Sequence, residues 1–203
     1  KKWTMNIDLS GKTALVTGDN DIASAIREAL ATEGAVVTDT HSGAVDILVN
    51  AAADLHAPSS TPLDSDTWAD DMERCFEAPR QLAHSVLPGM IENKFGRIIN
   101  VIGSFEPMHF NSEFAAWGAM AAWSKSLTRE VGQHGITINC IQPGLIETAD
   151  TSTEDFDANI IPAGRLGTPA DVANFVVYLA SGYARYITGT VIPIDGGLSR
   201  YQH

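Results

Sequence analysis

"TALVTGDNDIASAIREALATEGA", residues 13–35, is the stretch whose reading decides the fold. A short apolar run, Thr13–Thr17, ends on Gly18, and apolar residues at helical spacing then fill Ile22–Glu33. Strand, glycine, helix is the frame of a nucleotide-binding turn, where a helix N-terminus presents N–H groups and its positive dipole to a pyrophosphate. Yet Asp19 and Asp21 stand where a pyrophosphate needs bare backbone. At about 5 Å and an effective dielectric near 20, each such carboxylate costs on the order of 3 kcal/mol against an anionic ligand. Asp21 also reads as a cap for the helix starting at Ile22, a role compatible with loss of the cofactor.

Outward from this unit, short apolar runs alternate with helical stretches, the pattern of βαβ units on a parallel sheet. The strands are read at Thr13–Thr17, Ala35–Thr38, Asp46–Asn50, Arg97–Ile102, Thr137–Ile141 and Thr190–Ile194. Most are continuous apolar runs, as strands covered on both faces should be. Helices are read at Ile22–Glu33, Ser65–Glu92, Phe114–Gly132 and Pro169–Ala180. Pro79 falls inside the second and should kink or split it. The third, "FAAWGAMAAWSKSL", is apolar nearly all round, which predicts burial in the core or against another subunit. Thr148–Ile161 is polar and acidic and reads as a long loop or lid. The expected architecture is one α/β domain over residues 1–203, a doubly wound parallel sheet.

The bulk numbers narrow the partners. With 44% hydrophobic and 19% charged residues the chain has the composition of a globular domain. A formal net charge of −12 argues against nucleic acid and anionic membranes, which need clustered Lys and Arg. No apolar run reaches membrane-helix length, and no charged-then-apolar leader is read before the first strand. Cys75 and Cys140 form no disulfide or metal pattern, so the expected setting is the reduced cytoplasm. The six histidines show no metal-ligand spacing.

Two longer stretches, "KSLTREVGQHGITINCIQPGLIET" (125–148) and "GRLGTPADVANFVVYLASGYARYITGTVIPIDGG" (164–197), resemble the short-chain dehydrogenase/reductase family. "LSGKTALVTG" and "DILVNAAA" add to the likeness, which spans nearly the whole chain and implies a Rossmann-like sheet. The family's functional positions are largely altered. Of its three turn glycines, Gly18 is kept, and the other two fall on Asp21 and Ala23. Its Asn-Asn-Ala-Gly reads Asn50-Ala51-Ala52-Ala53. Asp39 matches the acidic residue that holds the adenosine ribose, but "DTHSGAVD" (39–46) is too brief for the helix, strand and helix the family places there, so part of the second βαβ unit is missing. Anchored on "KSLTREV", the family's Tyr and Lys fall on Glu113 and Trp117, its Ser on Gly103 beside Ser104, and its helix Asn on Cys75.

These departures lead to a repurposed member of the fold: a cofactor-independent, non-redox enzyme or binder of a small apolar molecule, with no dinucleotide and no metal. Ser104, His109 and Glu113 are its candidate acid–base residues, and Trp117, Pro143, Gly144 and Ile146 line its cleft. Asp54, His56, Glu106 and Asn111 are further polar groups expected at the cleft mouth. One alternative is an NAD- or NADP-dependent reductase in which Glu113 is the acid and Gly18, Asp39 and Asn50 hold the cofactor. Another is a non-catalytic partner of an active relative.

Overall fold

The computed structural model describes residues 5–41, 43–52, 65–103, 112–148 and 160–199. Six parallel strands form one sheet in the order β2-β1-β3-β4-β5-β6. In chain order the elements are β1 (Thr13–Val16), α1 (Asp21–Thr32), β2 (Val36–Thr38), β3 (Ile47–Asn50), α2 (Ser65–Met72), α3 (Ala78–Asn93), β4 (Gly96–Val101), α4 (Ser112–Val131), β5 (Ile136–Pro143), α5 (Pro169–Ala180) and β6 (Val191–Ile194). The doubly wound sheet expected from the sequence is present, and its strands lie within two residues of the sequence reading.

The period of two along each strand sorts the core. Ala14, Val16, Ile47, Val49, Ile99, Val101 and Ile141 pack with α1 and α5. Their neighbours Leu15, Leu48, Ile98, Ile136 and Ile138 pack on the opposite face with Ala83, Val86 and Met90 of α3. Each fully buried aliphatic side chain contributes about 1.5–3 kcal/mol of transfer free energy. Thr168 and Asp171 form a reciprocal capping box that starts α5.

The long helix read at Ser65–Glu92 is helical from end to end but changes its winding midway. A π-helical turn, Glu73–Glu77, separates α2 from α3, and Pro79 sits in the first turn of α3. Met72, Glu77 and Ala78 all keep right-handed helical backbone, so the helix runs on through Pro79, and the π turn lies just ahead of the position whose N–H is missing. The sheet ends on one side at β2, three residues long with Val36 64% exposed. On the other it ends at β6, where Pro193 contributes no N–H.

Candidate functional site

From β1 the chain passes through α1 to β2 on one side, whereas β3 lies on the other side of β1. This switch in direction opens a crevice beyond the carboxyl ends of β1 and β3, the place where open α/β sheets bind ligands. Gly18 turns the chain there at φ +93°, and a side chain on it would strike the backbone of Ala51. Thr17 Oγ1 accepts from Ala51 N at 3.2 Å, and Asn20 Nδ2 donates to Ala51 O at 2.9 Å. The two strand tips are thereby tied together.

The cap of α1 is Asn20, not Asp21: its Oδ1 accepts from Ala23 N at 2.9 Å while its backbone stays extended. Asp21 sits in the first helical turn, where its charge favours the helix dipole. A cation also reaches this turn. Arg27 Nη2 donates to Gly18 O, and to Val16 O at 3.2 Å. The repulsion assigned to the aspartates from the sequence therefore left out a guanidinium one turn and a half along the same helix.

A polar row crosses the sheet next to the crevice. Asn50 of β3, Asn100 of β4 and Cys140 of β5 are register partners, so their side chains share one face. Asn50 Nδ2 donates to Asn100 Oδ1 at 2.7 Å, and Asn100 Nδ2 donates to Ser124 Oγ at 3.1 Å. Cys140 Sγ donates to the same hydroxyl at 3.5 Å. Asn50 Oδ1 is buried and has no partner among the described residues. Burial pushes the Cys140 thiol up to about 11, against the opposing hydrogen bonds of Ser124 and Asn100.

Glu113, in the first turn of α4, is buried and pairs with Arg74 of the π turn. Arg74 Nη2 also donates to Asp71 Oδ1 at 2.9 Å, and Ser112 Oγ donates to Asp71 Oδ2. Cys75 Sγ lies 3.9 Å from Glu113 Oε1. Burial is the largest influence on the Cys75 thiol and pushes it up to about 12, although Arg74 pulls the other way. For Arg74 burial opposes the charge, yet the hydrogen bond to Glu113 raises the guanidinium further above its ordinary value.

Trp117 stands one helical turn after Glu113 and is buried with Cys75, Ile102, Ala116, Met120 and Cys140. Its ring occupies the space a side chain at position 103 would need, so Gly103 and Trp117 form one packing unit. Arg74 was not singled out from the sequence. Its only signal is a charged residue beside Cys75 inside a helix, and its partner lies 39 residues away.

Other expected site residues scatter. Asp39 is exposed just after β2. Pro143 closes β5, and Gly144 packs against Asp195 with its N–H donating to Ile194 O at 3.0 Å, so this turn holds β5 to the end of β6. Ile146, read as cleft lining, is instead buried in the core under α1 and α5, because a bridge to Gly167 turns the chain inward. Ser104, His109, Asp54, His56, Glu106 and Asn111 lie outside the described residues, as do residues 149–159 of the expected lid. Among the described residues no group of three or more His, Cys, Asp or Glu side chains is placed to hold a metal, and no helix is long and apolar enough to cross a membrane.

The residues present fit a dinucleotide along the strand tips. Gly18 gives the tight turn, the start of α1 supplies N–H groups, Arg27 brings a guanidinium to the carbonyl of Gly18, and Asn50 Oδ1, without a partner among the described residues, is an acceptor for a ligand donor. The adenosine end is spare, with Asp39 at the sheet margin.

A doubly wound parallel sheet, with buried polar atoms that lack a partner among the described residues lying near the strand tips, defines an α/β protein of the Rossmann type. More narrowly, the chain belongs to the short-chain dehydrogenase/reductase family: the family model described as Enoyl-(Acyl carrier protein) reductase matches residues 16–199. It is 32% identical over 241 residues to the 3-oxoacyl-[acyl-carrier-protein] reductase FabG of Vibrio harveyi, covering 95% of this chain and 99% of the relative. Against the FabG of Haemophilus influenzae the identity is 34% over 239 residues, with 94% and 99% covered. Both alignments are longer than this chain's 203 residues, so each relative carries residues that this chain lacks. A solved structure assigned as an NAD(P) dependent gluconate 5-dehydrogenase from Beutenbergia cavernae, with NADP bound at low occupancy, superposes with a TM-score of 0.84 at 25% identity, covering 96% of this chain and 99% of that one. A gluconate dehydrogenase assignment from Agrobacterium tumefaciens has the same TM-score at 24% identity, covering 98% and 100%, and bears on the fold alone.

These relatives overturn the cofactor-independent, non-redox reading and the expectation of no cofactor. They are reductases over nearly their full lengths, and one structural neighbour holds NADP. Arg74 beside Glu113 and Arg27 beside Gly18 come together only in the fold.

Proposed function

We propose that this protein is an NAD(P)-dependent reductase of a carbonyl group, with Glu113 and Arg74 working where the family uses Tyr and Lys. The observation that carries the reading is the pairing of buried Glu113 with partly exposed Arg74, one residue from Cys75 and beside the strand tips, in a chain alignable with 3-oxoacyl reductases over 95% of its length. Gly18, the start of α1, Asp39 and Asn50 would hold the dinucleotide, with Pro143 and Gly144 shaping the far wall. When bound, the reduced nicotinamide supplies a hydride. This chain's own part is to orient the carbonyl against Trp117, Ile102 and Met120, to set the Arg74–Glu113 pair beside it, and to let a proton from solvent reach the carbonyl oxygen. A π turn recurs at functional sites, and here it aims Arg74 and Cys75 toward the same tips. Ser104 and His109 remain candidates for passing that proton on.

The exposed Ala115, Gly118 and Ala122 on the outer side of α4 form a small-residue surface that supports pairing with a second copy, as a homodimer or homotetramer. The two buried free thiols support a reducing compartment, the cytoplasm. Neither nucleic acid nor membrane is among the proposed partners, given the acidic charge balance.

The test is calorimetric titration with NADH and NADPH, followed by dinucleotide oxidation in the presence of acetoacetyl-coenzyme A or 5-ketogluconate. Binding below about 1 mM, the upper end of ordinary KM values, is the expected result. No heat from either dinucleotide at that concentration would remove the reading.

A further inference from the structure

The recess at the tips of β3 and β4 is bounded by Asn50, Ala52, Arg74, Cys75, Asn100 and Met120. It has room for a group about the size of one water, which suits a single oxygen atom rather than a whole substrate. Two of its residues carry buried polar atoms that have no partner among the described residues: Asn50 Oδ1 and Arg74 Nη1. A third such atom, Trp117 Nε1, belongs to the ring packed next to Cys75.

Arg74 divides its fork. Nη2 serves both Asp71 and Glu113, while neither N–H of Nη1 is used within the described chain. A guanidinium kept only to neutralise Glu113 has no need to bury its second nitrogen without an acceptor, because an unmet buried donor is destabilising. The π turn is what places it there. One extra residue in that turn rotates Arg74 and Cys75 relative to α3.

We infer that Arg74 Nη1 receives the carbonyl oxygen of the substrate and stabilises the negative charge that develops on it, making Arg74 a catalytic residue; this rests on the reductase reading above. During reduction the carbonyl carbon gains a hydride from the reduced dinucleotide, the C=O π pair becomes a lone pair on oxygen, and that oxygen takes one proton from solvent, while Glu113 stays ionised against Arg74. Charge thus grows next to a donor already fixed by Asp71 and Glu113, in a site lined by Ile102 and Met120. The Cys75 thiol, raised by burial, stays neutral at ordinary pH and does not compete as an anion for Arg74.

Arg74→Lys keeps a cation opposite Glu113 but lacks the second nitrogen; Arg74→Ala removes both and is assayed with and without added guanidinium ion. The measurements are Tm, NADPH binding by fluorescence, and kcat and KM with acetoacetyl-coenzyme A and 5-ketogluconate. Arg74→Lys should bind NADPH as the parent does, melt normally, and lose on the order of 10²–10³ in kcat, with KM changing less. Added guanidinium should restore part of the kcat of Arg74→Ala. If Arg74→Lys turns over within about threefold of the parent, or loses kcat only in step with NADPH binding or Tm, the assignment of Arg74 fails while the reductase reading stands. A parent protein that binds NADPH but reduces neither compound also overturns the assignment, and one that binds no dinucleotide overturns the reductase reading and the assignment together.

Discussion

On the face under α1 and α5, the buried polar side chains are engaged with the backbone. Arg97 donates to Gly96 O at 2.7 Å, Gly135 O at 3.1 Å and Ser181 O at 3.4 Å, and Asn139 donates to Ile187 O at 2.9 Å. These bonds fasten loops around an apolar cluster that runs from Leu9 to Ala184. On the opposite face, near the strand tips, polar side chains meet one another instead. Asn50 meets Asn100, Asn100 meets Ser124, and Arg74 meets Glu113 and Asp71, and here lie buried polar atoms that have no partner among the described residues. The difference teaches where to look for function in a chain whose family motifs are altered. Backbone-bound polar groups hold the fold, and half-satisfied side-chain networks mark where a ligand completes the bonding.

Variants on the two faces can break or sharpen this contrast. Ile26→Ala, in a fully buried position of α1, should lower unfolding free energy in urea by about 2–5 kcal/mol and leave dinucleotide affinity of the folded fraction unchanged. A loss below about 1 kcal/mol would mean that the α1 face is loosely packed. Gly103→Ala should cost about 1–3 kcal/mol by overpacking, and unlike Ile26→Ala it should shift the tryptophan emission spectrum as the ring of Trp117 moves. Asn139→Ala leaves Ile187 O and Thr190 N unmatched and should cost about 1–2 kcal/mol, with kcat per folded molecule unaltered. A matching fall in kcat would show that the two faces are not separable.

The smallest effect should come from the α5 cap, where Asp171→Asn should lose about 1 kcal/mol at neutral pH. Hydrogen bonds, from Arg165 first and then the Thr168 backbone, hold the Asp171 carboxyl below its ordinary value of 3.8 despite some opposing burial. A depressed carboxyl contributes stability that is fully present above about pH 4 and disappears as pH falls through the folded value. The Tm gap between parent and variant should therefore close on acidification, and a gap that widens would contradict the cause assigned.

Strands and helices were legible because parallel strands covered on both faces leave apolar runs, and the 3.6-residue period marks α1 and α5. The cap of α1 was misplaced by one residue. Asn20 and Asp21 are both good caps by composition, and only the extended backbone at Asn20 decides between them. The change of winding ahead of α3 was foreshadowed by Pro79, but its π form was not, because one added residue hardly disturbs an amphipathic pattern. For the same reason Arg74 escaped notice, since its meaning depends on Glu113 far along the chain. Residues as far apart in the chain as Arg74 and Glu113 meet only in the fold, so their pairing leaves no local trace in the sequence.

The margins of the sheet carry a consequence for behaviour in solution. An outer strand of three residues at one end, and one interrupted by Pro193 at the other, present few consecutive free N–H and C=O groups to a second molecule. Concentrated samples should then resist strand-to-strand fibre growth even though Val36 lies bare on the outermost strand.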